Sequence, residues 1–286
     1  MTTLALLTYP QIDPVLLRVG PLALRWYGLA YVLGFVGAAL LMRHLNRTWK
    51  MGLSGDDQLD VVLAAVVGLI VGARIGYVLF YDLSGVLRDP LSIFALWDGG
   101  MSFHGGLIGI LLAGWLISRR VGVPFLRLAD MGAVGAPIGL FLGRLGNFIN
   151  GELWGRTTDV PWAMIPPYGG PPRHPSQLYE ALLEGLVLFA VMIVLSRKRR
   201  PDGFQLGVML ALYGVFRIAV EFVREPDIQL GFILGPFTMG QLLSLPVLLA
   251  GGWLIWRALR TPQSSVGAGP TSSTGEDDEE QPIGEV

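Results

Sequence analysis

The sequence predicts an all-α integral membrane protein with seven transmembrane helices and a small extracytoplasmic head. Three observations carry that prediction. Charged residues make up 15% of the chain and the mean hydropathy is +0.55, whereas ordinary soluble domains hold about 25% charged residues. Seven stretches approach the ~20 apolar residues that a bilayer core requires. Clusters of Arg and Lys punctuate these stretches with a regular alternation, which fixes their sides.

The seven candidate spans are 22–42, 59–81, 100–118, 127–148, 177–196, 204–223 and 237–257. The first, third and last carry no Asp, Glu, Lys or Arg away from their ends. The others are interrupted: by Arg74, by Asp130 and Arg144, by Glu180 and Glu184, and by Arg217 and Glu221. Plain helices can face lipid, whereas helices with ionisable groups are expected to line a polar interior. Arg43, Arg47 and Lys50 follow the first span, and Arg119 and Arg120 follow the third. Arg197, Lys198, Arg199 and Arg200 follow the fifth, and Arg257 and Arg260 close the seventh. With seven spans all four clusters fall on one side, which is the cytoplasmic one. Six or eight spans would scatter them. The N-terminus and the segments 82–99, 149–176 and 224–236 are then external. Met1–Pro14 lacks a basic start and is broken by Pro10 and Pro14, so a cleavable signal is not expected.

Residues 149–176 are rich in Pro and Gly and include Trp154 and Trp162, which reads as an extracytoplasmic cap with aromatic interface anchors. The chain divides into a membrane domain, 1–260, and a disordered acidic cytoplasmic tail, 261–286. Six of the 22 acidic residues lie between Glu276 and Glu285, so the body without that tail is modestly basic. Cysteine is absent, which excludes disulfides, thiolate metal sites and a cysteine nucleophile in the protein itself. The three histidines, His44, His104 and His174, are not at ligand spacing, and no metal site is expected.

The costliest segment is Gly143 to Arg156, which places Arg144, Asn147, Asn150 and Glu152 at a membrane edge. A charge at mid-bilayer costs roughly 2.5–3.5 kcal/mol on insertion scales. Such groups are retained for binding or chemistry. Tyr213, Arg217, Glu221 and Arg224 are spaced by four, four and three residues, which puts them on one helical face. Two readings are open for that face: a structural Arg217–Glu221 ion pair, or an anion site in which Glu221 orients Arg217. Arg144 supplies a second guanidinium, and two Arg on different helices suit a phosphate because each donates a planar pair of hydrogen bonds. Snorkelling is the competing reading for Arg144.

His104 opens the third span before Gly105, Gly106 and Gly109, a smooth face for a close helix or ligand. Its role is either structural or functional. Tyr27, in Arg25-Trp26-Tyr27-Gly28, reads by itself as an aromatic-belt residue. Ser176 is a candidate cap for the fifth span, with Glu180 turned inward. Gly132, Gly135, Gly139 and Gly143 read as a tight helix-packing face.

These pieces resemble the prolipoprotein diacylglyceryl transferase family. The matching segments are Arg25 to Gly28, Phe103 to Gly106, Gly143 to Gly155, His174 to Glu180, and Tyr213 with Arg217 to Arg224, in family order. The resemblance implies transfer of a diacylglyceryl group from phosphatidylglycerol to the lipobox cysteine in a prolipoprotein signal peptide. A thioether forms and glycerol 1-phosphate leaves. It implies a bacterial cytoplasmic (inner) membrane enzyme working at the outer face, with the N-terminus outside and the C-terminus cytoplasmic. Its partners are then phosphatidylglycerol, the prolipoprotein and membrane lipid, with no cofactor and no nucleic acid. By position, Arg144 and Arg217 become phosphate-binding and catalytic groups. Tyr27, His104, Asn147, Glu152, Tyr213, Glu221 and Arg224 become the other members of the site. Two readings of thiol activation stay open: His104 is the general base, or the Arg field lowers the thiol pKa and His104 only shapes the pocket. The runner-up from another class is a secondary transporter of an organic anion, and a third is a scaffold or receptor with a ligand pocket.

Overall fold

The computed structural model describes residues 7–20, 22–95, 99–225, 232–234 and 237–261. Nearly all of the acidic tail and much of 224–236 lie outside the described residues.

Each predicted span coincides with a helix. These are α1 (Trp26–Thr48), α2 (Gly55–Tyr81), α4 (Phe103–Arg120), α5 (Phe125–Ile149), α8 (Phe204–Glu221) and α9 (Met239–Arg260). The fifth span is continuous over Ser176–Ser196 but changes pitch, with α6 (Ser176–Glu180), a π-helical stretch (Ala181–Val187) and α7 (Leu188–Ser196). A short α3 (Leu83–Arg88) and a 3-10 turn (Pro90–Phe94) occupy the second connection. Six of the seven spans are long and apolar enough to cross a membrane. The remaining one, α4, has 18 residues, and His104, Arg119 and Arg120 dilute its apolar content.

The first helix begins later than predicted, and the reason is a hairpin. Leu22–Arg25 (β3) pairs antiparallel with Val15–Val19 (β2), so Arg25 is extended and the helix opens at Trp26. The second begins earlier, because Ser54 and Asp57 form a reciprocal capping box that starts the helix at Gly55.

Small residues set the helix pairs. A Cβ at Gly72 would lie 2.7 Å from the Gly109 Cα, and one at Gly76 would lie 2.7 Å from the Gly105 Cα. The Gly105/Gly109 face therefore admits α2. On α5 the packing expectation holds in part: a Cβ at Gly135 would meet Ala38 of α1 and a Cβ at Gly34 of α1 would meet the Gly139 backbone, but one at Gly132, Gly139 or Gly143 would meet nothing within 4 Å. A buried cluster of Leu45, Trp49, Met131, Val134, Leu188 and Met192 joins α1, α5 and α7. Trp49 also donates from Nε1 to the Ser196 carbonyl at 2.8 Å. Outward-facing Leu63, Val67, Leu111, Leu112, Leu249 and Trp253 are exposed apolar groups, as a lipid-facing surface requires.

Two of the charges inside the spans are structural, which corrects the expectation that all of them line a polar interior. Arg74 donates to the carbonyls of Ser92, Ile93, Gly99 and Gly100 at 2.6–3.1 Å, pinning the loop after α3. Asp130 accepts from the backbone N–H groups of Gly203 and Leu206, both at 2.8 Å, and so satisfies the first turn of α8 from a neighbouring helix.

The head is stitched from distant pieces. Leu7–Thr8 (β1) pairs parallel with Met164–Ile165 (β4), and isolated bridges join Gly155 to Arg224 and Thr157 to Arg173. Trp154 is buried at 5% exposure against Tyr9 and Phe148, so it is the core of the head and not an interface anchor. Trp162 is 54% exposed and donates from Nε1 to the Tyr179 hydroxyl at 2.7 Å. Ser176 does not cap its helix: Pro175 holds the cap position, and the Ser176 hydroxyl donates to the Leu153 carbonyl at 2.8 Å.

Candidate active site

The ends of α5 and α8 bring Arg144 and Arg217 together through a third helix. Glu180, at the end of α6, is 1% exposed and receives both. Arg144 Nε lies 2.5 Å from Glu180 Oε2, and Arg217 Nη1 lies 3.2 Å from Glu180 Oε1. Arg224, just past α8, adds its Nη1 at 3.0 Å from the same Oε1. The predicted i,i+4 pair is present as well, with Arg217 Nη2 3.1 Å from Glu221 Oε2. Glu221 accepts a further bond from Thr238 Oγ1 at 2.9 Å, which ties it to the start of α9. A Cβ on Gly240 would sit 2.5 Å from the Glu221 carboxyl carbon, so glycine leaves the room that this carboxylate fills.

A second strand of contacts runs into the loop after α5. Arg144 Nη1 reaches Asn147 Oδ1 at 3.5 Å, and Asn147 Nδ2 donates to Glu152 Oε1 at 2.8 Å. Asn150 Nδ2 donates to the same oxygen at 3.2 Å, and Gln177 donates to the Glu152 carbonyl. Asn147 is buried and Glu152 is exposed. Tyr27 packs on Gly146 and hydrogen-bonds Tyr31 across 3.2 Å, within electrostatic reach of Arg144 and Glu152. Tyr213 lies within reach of Arg217, Arg144 and Glu184.

The structure thus gathers Arg144, Asn147, Glu152, Arg217, Glu221 and Arg224 into one contact network, with Tyr27 and Tyr213 at its border. His104 stands apart. It is exposed, its ring meets Phe103 edge-on, and no hydrogen bond or ion pair links it to the network among the described residues.

The centre of the network was only half legible in the sequence. Glu180 reads as inward-facing, but its place beneath three guanidiniums does not follow from one helix. Glu184, which interrupts the same span, carries the same signal. Two carboxylates four residues apart in an apolar span require cations from other helices. Glu184 is fully buried, with its oxygens 3.7 Å from Arg144 Nη2 and 3.9 Å from Arg217 Nη1.

Charge balance explains how such a site persists in a low-dielectric setting. Three guanidiniums meet three buried carboxylates, of Glu180, Glu184 and Glu221. The Arg side chains retain 13–19% exposure while the Glu180 and Glu184 side chains retain 0–1%. The cations lie on the accessible side.

Comparison with known proteins decides the family. The family profile for prolipoprotein diacylglyceryl transferase matches residues 14–257. The chain belongs to the prolipoprotein diacylglyceryl transferase family. It is similar to the phosphatidylglycerol–prolipoprotein diacylglyceryl transferase of Geobacter sulfurreducens, at 55% identity over 85% of this chain and 94% of the relative. It is 53% identical to the enzyme of that name from Pseudomonas fluorescens, over 90% of this chain and 97% of the relative. The corresponding protein of Nitratidesulfovibrio vulgaris is 52% identical over 87% of this chain and 96% of its own length. The chain is accordingly a multi-pass membrane protein of this bacterial transferase family. The organic-anion transporter alternative finds no support in these relatives.

Proposed function

We propose that this chain transfers the diacylglyceryl group of phosphatidylglycerol to the lipobox cysteine of prolipoproteins, the first step of lipoprotein maturation. The single observation behind the assignment of the site is the convergence of Arg144, Arg217 and Arg224, partly accessible, over one buried carboxylate. It is consistent with the names of the relatives, which specify both substrates.

In the reaction, the substrate sulfur forms a bond to the glyceryl carbon as that carbon's bond to the phosphate oxygen breaks. The thiol proton goes to a base, and glycerol 1-phosphate departs. The departing phosphate passes from one negative charge towards two. Fixed guanidiniums therefore stabilise the transition state more than the bound lipid. Arg144 and Arg217 take the phosphate oxygens in this reading. Arg224 and Tyr213 border the headgroup, Glu221 orients Arg217, and Asn147 with Glu152 orients Arg144. Tyr27 closes the side towards α1. His104 is our candidate base, with the Arg field as the alternative activator of the thiol; its exposed ring meets Phe103 edge-on.

The basic clusters favour an inner-membrane orientation with the N-terminus outside, the 149–176 head extracytoplasmic, and 261–286 a cytoplasmic tail. Residues 1–260 then form the catalytic membrane domain. The deciding experiment uses purified protein, labelled phosphatidylglycerol and a lipobox peptide. A thioether-linked labelled peptide is expected. Its absence, with folded protein and both substrates present, would remove the transferase reading.

A further inference from the structure

Glu180 is the group that all three guanidiniums share, and its place in the structure sets it apart from a surface ion pair. It is 1% exposed, and its two oxygens receive Arg144, Arg217 and Arg224 at 2.5, 3.2 and 3.0 Å. Those three Arg side chains are 19%, 14% and 13% exposed. The carboxylate therefore lies behind the cations, away from the side that an anion can enter. Each Arg uses one nitrogen on Glu180: Nε of Arg144, Nη1 of Arg217 and Nη1 of Arg224. A guanidinium is a rigid planar fork, so contacts at more than one nitrogen fix its tilt: besides Glu180, Arg144 Nη1 reaches Asn147 and Arg217 Nη2 reaches Glu221.

The local backbone provides a second, independent observation. The helix changes to π pitch at Ala181, directly after Glu180, and stays so through Val187. π segments are rare and occur often at functional sites. This one also carries Glu184, whose oxygens accept no hydrogen bond among the described residues and stand 3.7–3.9 Å from Arg144 and Arg217. A buried ion-pair network adds little stability over well-packed apolar residues. What it does supply is fixed geometry for three cations that repel one another.

We infer that Glu180 is a positioning residue for the transferase reaction: it holds Arg144 and Arg217 at the spacing and tilt that meet the phosphate, without touching substrate. The inference rests on the proposed function above. A misplacement of about 1 Å in such a clamp can cost roughly 100-fold in rate. The loss falls on kcat, because the interaction tightens as charge develops on the leaving phosphate.

The test uses the full chain, purified, with phosphatidylglycerol and a lipobox peptide. Rates are normalised to folded protein by a thermal melt. Glu180→Gln keeps the shape but loses the charge, and kcat should fall about 100-fold while KM for phosphatidylglycerol stays within about threefold. Glu180→Asp keeps the charge but retracts it by one methylene, and kcat should fall about tenfold. Wild-type kcat per folded molecule in either variant overturns the inference, as does a loss confined to KM. If Glu180→Gln fails to fold, Glu180→Asp decides alone by the same criterion. Arg144→Ala is run in parallel. If it keeps wild-type turnover, the assignment of the site has failed. If it is inactive while both Glu180 variants match wild type, only the positioning role has failed.

Discussion

α5 and α8 run side by side and carry buried charges at both of their ends, yet the two ends use them differently. At the start of both helices, Arg127 binds Asp202 through Nε and Nη2 at 3.0–3.2 Å. Beside it Asp130 accepts two backbone N–H groups at 2.8 Å. Both oxygens of each carboxylate are engaged by groups that belong to the fold. At the far end, Arg144 and Arg217 meet Glu180, Glu184 and Glu221 at distances from 2.5 to 3.9 Å, and Glu184 accepts no hydrogen bond among the described residues. One end is a lock whose partners are complete. The other is a set of cations held among carboxylates by looser ion pairs, several of whose atoms form no hydrogen bond among the described residues. A charge inside a membrane span therefore does not by itself mark a site. The decisive question is whether its partners come from the fold alone.

The sharpest way to break this contrast is to remove a cation from the far end. Arg217→Ala or Arg144→Ala should lower turnover by about 1000-fold, the upper range for one electrostatic donor. Turnover is read per folded molecule, because Arg217→Ala strips Glu221 of its Arg partner and should lower the melting temperature, whereas Arg144→Ala leaves Glu180 and Glu184 beside Arg217. Near-normal turnover in either variant would take that residue out of the site.

The connection from Arg144 to Asn147 and Glu152 is the next target. Asn147→Ala should cost about tenfold to 100-fold in kcat by freeing the guanidinium to tilt. Glu152→Gln retains an acceptor oxygen for Asn147 and should cost less. If Glu152→Gln is the more damaging of the two, Glu152 acts on substrate directly and the orienting role assigned to it is wrong.

The lock end should respond in stability rather than in rate. Asp130→Ala leaves the Gly203 and Leu206 N–H groups without their acceptor, at a cost of about 1–3 kcal/mol for each unsatisfied buried group. A lower melting temperature in detergent is expected, with unchanged kcat per folded molecule. A selective loss of kcat would show that the two ends are coupled.

The smallest effect concerns the head. Burial holds the His174 imidazole below the usual histidine range, and its Nδ1 lies 3.1 Å from the Tyr179 hydroxyl. A lowered pKa means that the folded state binds fewer protons than the unfolded state. The contribution to stability is then present above the unfolded value of about 6.5 and declines as pH falls below it. Wild type should lose melting temperature between about pH 6.5 and pH 5 relative to His174→Gln. Parallel curves for the two proteins would sink this reading.

Within single helices, sequence reasoning reached far. The Arg217–Glu221 pair follows from a four-residue spacing and is present at 3.1 Å. The seven spans follow from apolar length, and the structure has a helix at each. Where reasoning fell short, the partner was distant along the chain. Trp154 looks like an interface anchor until Tyr9, from the N-terminal strand, packs on it. Arg74 looks like a pore-lining charge until four carbonyls of a later loop surround it. The first helix boundary shifted because a hairpin competed for residues 22–25.

Sequence alone therefore determined the number and polarity pattern of the spans and the spacing that puts Tyr213, Arg217 and Glu221 on one face of α8. These depend on hydropathy and helical periodicity, which are local. Only the tertiary structure decided that Glu180 lies beneath Arg144, Arg217 and Arg224, and that Asp130 serves the turn that opens α8. The same residue types appear in both places. Their roles differ because burial and the identity of the facing helix decide which partners each charge meets.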